Sequence, residues 1–231
     1  MPEDDHVSHV LVNTELSMFG KKAFPTTRWD ETVNNNHLMP NYQPLEYLIA
    51  GGYMGELVRL IILEATETVG LFAGKAPISL STHYTLDART LAAIEADTSA
   101  TLSASRKLFY ETHPTATFPT SSDMYFIQQV IRSVSRRSCA YATAAIHALA
   151  SLLQDLEKIH QVVSSNTGYI NIGCDGSIIN KYPHYMDTAQ ALLDQMSDLE
   201  SGIKKRILLE KTFEPAVSGA GVAVAMAAMH P

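Results

Sequence analysis

The sequence is poor in cysteine, with only Cys139 and Cys174 among 231 residues. Two cysteines cannot make a disulfide framework, and these are not spaced like metal ligands, so both read as reduced thiols. Positive charge is also scarce: 17 Lys and Arg stand against 24 Asp and Glu, a formal net charge of −7. The basic runs are short, Lys204-Lys205-Arg206 and Arg136-Arg137. A surface of that sign repels phosphate backbones and argues against nucleic acid as a partner. An anionic ligand such as a nucleotide would need local help from backbone N–H groups or helix N-termini. The nine histidines form no His-x-x-x-His or His-Glu-x-x-His arrangement, so no metal ligands are expected from the protein itself. No apolar run approaches the ~20 residues of a membrane span. The start, Met1-Pro2-Glu3-Asp4-Asp5, is acidic, unlike a signal or transit peptide, and a cytoplasmic location is expected.

What the chain does have is enough apolar material, 46% of its residues, for one sizeable core. A single domain over residues 1–231 is expected. Strands are predicted at His9 to Thr14, Phe24 to Trp29, Tyr169 to Gly173 and Lys205 to Leu209, with a loop over Thr32 to Gln43. Leu45, Leu48, Ile49, Leu57, Leu60, Ile61 and Leu63 recur at helical spacing, and Gly51-Gly52 breaks them into two helices, the second ending at Gly70. Further helices are predicted from Leu86 to Ala96 and from His184 to Met196, with a pair of helices over Met124 to Leu156. Thr98 to Ser122 is rich in Ser, Thr and Pro and reads as irregular. The turn Ser218-Gly219-Ala220-Gly221 opens a last small-residue helix. Strands alternating with helices and ending in Gly/Ser turns indicate an α/β fold.

Three stretches carry more specific information. They are Leu11-Val12-Asn13-Thr14-Glu15; Gln43-Pro44-Leu45-Glu46-Tyr47 running on to Gly51-Gly52-Tyr53-Met54-Gly55-Glu56 and Arg59; and Gly173-Cys174-Asp175-Gly176-Ser177 with Tyr182-Pro183. In that order they resemble the C-terminal, large-lobe half of the eukaryotic hexokinase/glucokinase family, and the likeness runs from about Val10 to Met229. The resemblance implies an actin-like ATPase (ribonuclease H-like) large lobe, a mixed sheet with flanking helices, without the small lobe. It also implies a hexose and ATP with Mg²⁺ as ligands, the metal arriving with the nucleotide.

A hexose is read through its hydroxyls, and ionised carboxylates accept hydrogen bonds from them most strongly. By resemblance Glu15 and Glu46 grip the sugar, with Gln43 beside them. Without the motif each acid would be an ordinary surface or helix-start carboxylate, and Gln43 a cap. The resemblance puts the adenosine and phosphates of ATP against Asp175, Gly176 and Ser177, where Gly176 lets a ligand approach the backbone. Thr82, Ser218 and Gly219 are the remaining nucleotide candidates. Glu56 and Arg59, three apart on a helix, are expected to pair with each other.

The departures from the family pattern count as much. The Asp that takes the sugar's proton, the phosphate-gripping Gly-Gly-Thr stretch and the Lys that closes over the sugar lie in segments this sequence does not contain. Leu16-Ser17 stands where the family has an aromatic residue and glycine, and Pro215-Ala216-Val217 replaces an acidic, glycine-containing stretch. No catalytic residue is therefore assigned, and the chain alone is expected to lack kinase activity. The resemblance also implies a sheet edge and apolar surface for a protein partner to cover. The alternative expectation is a non-catalytic regulatory or sugar-sensing protein acting through that partner.

Overall fold

The computed structural model describes residues 12–160, 168–199 and 206–212. The first helix, α1 (Arg28–Asn35), begins at a reciprocal cap: the Asp30 side chain accepts from the Thr27 N–H at 2.8 Å, and the Thr27 hydroxyl oxygen accepts from the Asp30 N–H. That cap corrects two expectations. Phe24 to Trp29 is not a strand, because Thr27-x-x-Asp30 starts a helix inside it, and the loop begins only after Asn35. Asp30 is also held by Arg137 through two hydrogen bonds of 2.7 Å, which pins α1 to a distant part of the chain.

Helices α2 (Pro44–Ile49) and α3 (Gly51–Thr68) follow, with the break at Ala50, whose backbone turns extended. The glycine pair thus divides the helical run as its spacing suggests. A turn at Leu71–Gly74, with Phe72 and Ala73 left-handed at φ 55°, and a short 3₁₀ turn at Ile78–Ser81 lead to α4 (Ala88–Ala96), capped by Asp87 through the Thr90 N–H. The stretch predicted to be irregular contains a helix, α5 (Ser103–Thr112). Asp97 organises its start by accepting from the N–H and hydroxyl groups of both Ser99 and Ser105. The serines that suggested a loop are part of the cap.

Next comes one continuous 40-residue helix, α6 (Ser121–His160), in place of the expected pair. It contains neither glycine nor proline, so nothing in it breaks the hydrogen-bond ladder. At 1.5 Å per residue it is about 60 Å long and spans both parts of the core. In the larger part Met124, Ile127 and Ile131 of α6 meet Val58 and Ile62 of α3, Leu91 and Ile94 of α4, and Phe109 of α5. In the smaller part Ala150 meets Leu193 and Ile207.

Beyond α6 the chain forms a βαβ unit: β1 (Tyr169–Cys174), α7 (Ser177–Lys181), α8 (Tyr185–Leu199) and β2 (Arg206–Lys211). The strands pair in parallel, from Tyr169 opposite Arg206 to Cys174 opposite Lys211. Both strands, and α8, fall where the sequence predicts them. The strand expected from His9 reaches the described residues only at Val12 to Thr14, which belong to no strand. The turn at Ser218 and its helix lie outside the described residues.

Candidate functional site

Glu46 is the third residue of α2, which Pro44 opens at a position where a missing N–H costs nothing. The side chain is half-buried in an open groove walled by His37, Tyr53 and Tyr84, with Ala50 and Gly52 on its floor. The walls are fixed by their own bonds. His37 Nε2 lies 2.9 Å from the Tyr53 hydroxyl, and the Tyr47 hydroxyl donates to the Met39 carbonyl at 2.8 Å. Burial, and then the negative charge of Glu46, push the Tyr53 hydroxyl above its ordinary pKa, so that it stays a neutral donor.

Glu15 sits on the neighbouring element. It is exposed, with left-handed backbone (φ 45°), and its carboxylate accepts from Asn13 Nδ2 at 2.7 Å. The single turn that follows, Leu16–Met18, packs on α2, and Gln43 Nε2 reaches Ser17 Oγ at 3.4 Å. Gln43 occupies the N-cap position of α2 but makes no capping bond with its side chain. Glu15 and Gln43 do not line the groove that Glu46 lines.

Of the nucleotide candidates, Asp175, Gly176 and Ser177 stand together at the start of α7. Gly176, at φ 131°, makes a bend open to few residues other than glycine, and Asp175, Gly176 and Ser177 are all exposed. Ser177 lines a second cleft, between α7 and the start of α4, where Arg89 and Lys181 place two cations. Thr82 is exposed on the loop before α4 and does not line that cleft; its carbonyl accepts from the Thr85 hydroxyl at 2.9 Å. Ser218 and Gly219 lie outside the described residues.

Helix α3 joins the two regions, and its glycines show how. A Cβ added to Gly55 would lie 1.9 Å from the Leu86 carbonyl oxygen, and one on Gly51 would lie 2.6 Å from Ile178 and 3.0 Å from Ala88. These two positions, one turn apart, let α3 press against the backbone leading into α4 and against α7. The next residue, Glu56, faces another way. As the spacing predicts, it pairs with Arg59 (2.5 and 2.7 Å), but the pair is buried, each side chain about 3% exposed. Together the two residues hold the loop before α4: Arg59 donates to the Leu80 carbonyl at 2.6 Å, and Glu56 accepts from the Tyr84 N–H at 2.7 Å and meets His83 Nδ1 at 2.8 Å. Burial by itself would raise the Glu56 pKa. The Arg59 fork, the Tyr84 N–H and His83 outweigh it and keep the carboxyl below its usual range.

Tyr53 stands inside a stretch singled out by the sequence. Lys181 lies within the third such stretch but has no role assigned by it, and Tyr84 and Arg89 lie outside all three, with no local pattern to mark them. Among the described residues no group of His, Cys, Asp and Glu could hold a metal ion, and no helix is long and apolar enough to cross a membrane.

Comparison with known proteins bears on the same elements. The family model described as hexokinase matches residues 1–228. Hexokinase-1 of Schizosaccharomyces pombe is 29% identical over 228 residues, covering 97% of this chain and 42% of that protein. Hexokinase-2 of Candida albicans is 30% identical over 227 residues, covering 96% and 43%. The solved hexokinase of Schistosoma mansoni complexed with glucose superposes with a TM-score of 0.73 at 24% identity, over 86% of this chain and 42% of that one. The fold is therefore that of hexokinases, the actin-like ATPase fold, and the chain spans about two fifths of the length of the relatives it matches.

Proposed function

This chain belongs to the hexokinase family, and from that premise we propose that it is the sugar- and nucleotide-holding portion of an ATP-dependent hexose phosphotransferase. The observation that carries this reading is the dual packing of α3. The helix follows the bend at Ala50 after α2, which bears Glu46, and its Gly51 and Gly55 seat it against Ile178, Ala88 and the Leu86–Asp87 backbone, beside Ser177. A sugar carboxylate and a phosphate-side turn are thus held in one rigid unit, as transfer between two bound ligands requires.

In the reaction a hexose hydroxyl oxygen attacks the γ-phosphorus of ATP, the bond from that phosphorus to ADP breaks, and the hydroxyl proton leaves to a base. Glu46 would accept a hydrogen bond from a second hydroxyl and fix the ring. Ser177, Arg89 and Lys181 suit an anionic nucleotide because they set one hydroxyl and two cations in one cleft against the single carboxylate of Asp87, which is engaged in capping α4. Mg²⁺, bound to the phosphates, would neutralise the charge that builds on them. No residue of this sequence matches the family's proton acceptor, and removing such a base costs ~10²–10⁴ in rate. These 231 residues are proposed to bind without turning over by themselves.

Calorimetric titration with glucose tests the sugar claim. Binding that Glu46→Gln abolishes supports it, and a folded protein that shows no heat with tens of millimolar glucose ends it. Hexose 6-phosphate formation by the chain with ATP and Mg²⁺ alone would refute the absence of turnover.

A second reading, a non-catalytic sugar-sensing or regulatory protein acting through a partner, is favoured by Glu15. Its carboxylate already accepts from Asn13 and is exposed, an arrangement suited to a looser grip on sugar. Supplying a hexokinase small lobe as a separate chain separates the two: phosphate transfer restored by it excludes the non-catalytic reading.

A further inference from the structure

Tyr84 is one of seven described residues other than glycine with left-handed backbone, at φ 60°, and it lines the Glu46 groove. An L-residue with a bulky side chain takes that conformation at a cost and keeps it only when its surroundings impose it. Here the cause is visible. The Tyr84 N–H donates to Glu56, and the same carboxylate is locked by Arg59, whose other arm holds Leu80. A buried ion pair therefore spends two of its bonds on the loop that carries Tyr84. The ring that results is still 46% exposed and stands on the wall of the Glu46 groove, its centroid 6.2 Å from that of Tyr53 with the planes 74° apart. Tyr53 is in turn held by His37. Gly52 lines the same groove, and a Cβ there meets no heavy atom within 4 Å.

We infer that Tyr84, cornered by Tyr53, is the stacking wall of this groove and selects a closed pyranose ring. A pyranose has hydroxyls around its rim and a flat face of C–H groups, which carry slight positive charge. An aromatic face is negative and attracts that surface, while the rim hydroxyls donate to Glu46. The combination of one half-buried carboxylate and an exposed tyrosine at a right angle to a second fits that ligand and discriminates against open-chain polyols, which have the hydroxyls but no flat face. The inference rests on the sugar-site reading given above and adds a specificity-determining residue to it.

The test compares D-glucose with sorbitol by calorimetry on the wild-type chain, Tyr84→Gly, Tyr84→Phe, Gly52→Leu and Glu46→Gln. Glycine is the residue best suited to φ 60°, so Tyr84→Gly should melt higher than the wild type while binding glucose about three- to tenfold more weakly, the range expected for an aromatic contact. Tyr84→Phe keeps the ring and should bind within about twofold of the wild type. Gly52→Leu adds bulk only to open space, so it should fold normally and lose glucose. Sorbitol affinity should be unchanged in Tyr84→Gly. If glucose binds, Glu46→Gln abolishes binding, and yet Tyr84→Gly and Gly52→Leu bind like the wild type, the stacking wall is refuted and the sugar site stands. If the folded wild type binds no glucose, the sugar site falls, and the wall falls with it.

Discussion

Replacing Gly55 by alanine is the sharpest check on the packing of α3. At an ordinary helix interior the change stabilises by about 1 kcal/mol, because alanine loses less backbone entropy. At Gly55 the new Cβ would lie 1.9 Å from the Leu86 carbonyl oxygen, well inside the 3.0 Å that real Cβ contacts respect. The obstacle is backbone, not the end of a flexible side chain, so α3 or the Leu86–Asp87 segment must move by more than an ångström. Overpacking of that kind typically costs about 1–3 kcal/mol and occasionally more. With the propensity gain subtracted, a net loss of about 1 kcal/mol is expected, a fall in Tm of roughly 2–4 °C for a chain of this size. Gly52→Ala is the internal control on the same helix. Its Cβ meets nothing, and the change should be neutral or stabilising by about 0.5 kcal/mol. Urea unfolding followed by circular dichroism reads both. A Gly55→Ala protein as stable as the wild type, or the same sign of change at both positions, would show that α3 does not press on the α4 lead-in as described.

Glu56→Gln leaves Arg59 charged and buried without its counter-ion, and should cost about 3–5 kcal/mol, with faster hydrogen exchange over Leu80 to Tyr84; a loss under 1 kcal/mol would count against the latch. Acid should destabilise the chain in two stages. Burial holds His113 neutral and below its usual pKa, so the unfolded chain takes up that proton first and stability begins to fall as the pH drops below about 6.5; His113→Gln should remove this stage from the pH dependence of the urea midpoint. Asp30, Glu56 and Asp97 have folded pKa values below their unfolded ones, with Asp97 lowered to about 2 because hydrogen bonds from Ser99 and Ser105 outweigh its burial. Their contribution is present above about pH 4 and disappears as the pH falls towards about 2. Cys139 and Cys174 are buried and their thiols are pushed up by that burial, so a thiol reagent at pH 7.5 should label both only at the rate of unfolding; fast labelling of either in the folded chain contradicts their placement.

Which features could be read from the sequence follows from how local their causes are. The break at Ala50, the strands at Tyr169 and Arg206, and the Glu56–Arg59 pair depend on residues within a few positions of one another, and all were visible. The start of α1 was equally local, yet reading Phe24 to Trp29 as a strand hid the Thr27-x-x-Asp30 cap. In the same way the serines around Asp97 looked like a loop because their bonds run to a carboxylate up to eight residues away. The continuity of α6 follows from the lack of glycine and proline, although the length of the stretch suggests two helices. Tyr84 could not be found at all. Its position depends on a bond to Glu56, 28 residues earlier, and on a left-handed backbone that no neighbouring residue signals. The proposed sugar carboxylate was legible at Glu46 because the motif is contiguous, and Tyr84 in the same groove was not because it comes from a separate loop.

The break at Ala50 gives the motif its geometry. Where α2 stops, the Ile49 carbonyl would be left without a partner, as the last carbonyls of any helix are. Ser138, fully buried on α6, donates to it at 3.0 Å and is itself 2.8 Å from the Tyr185 hydroxyl at the start of α8. The bend between α2 and α3 is therefore held from outside by two helices that belong to the core. Because the bend is fixed, the angle at which Glu46 enters its groove is fixed too. The same α3 that leaves the bend sets Gly51 against Ile178, one residue from Ser177. Three contacts of different kinds, a hydrogen bond to Ile49, a glycine against Ile178 and an ion pair beneath Tyr84, thus orient three groups toward two neighbouring clefts. Loosening any one of them leaves the side chains present but misdirected, and if the two clefts hold a sugar and a nucleotide as proposed, a misplacement of about 1 Å would be enough to cost ~10² in the rate of transfer between them.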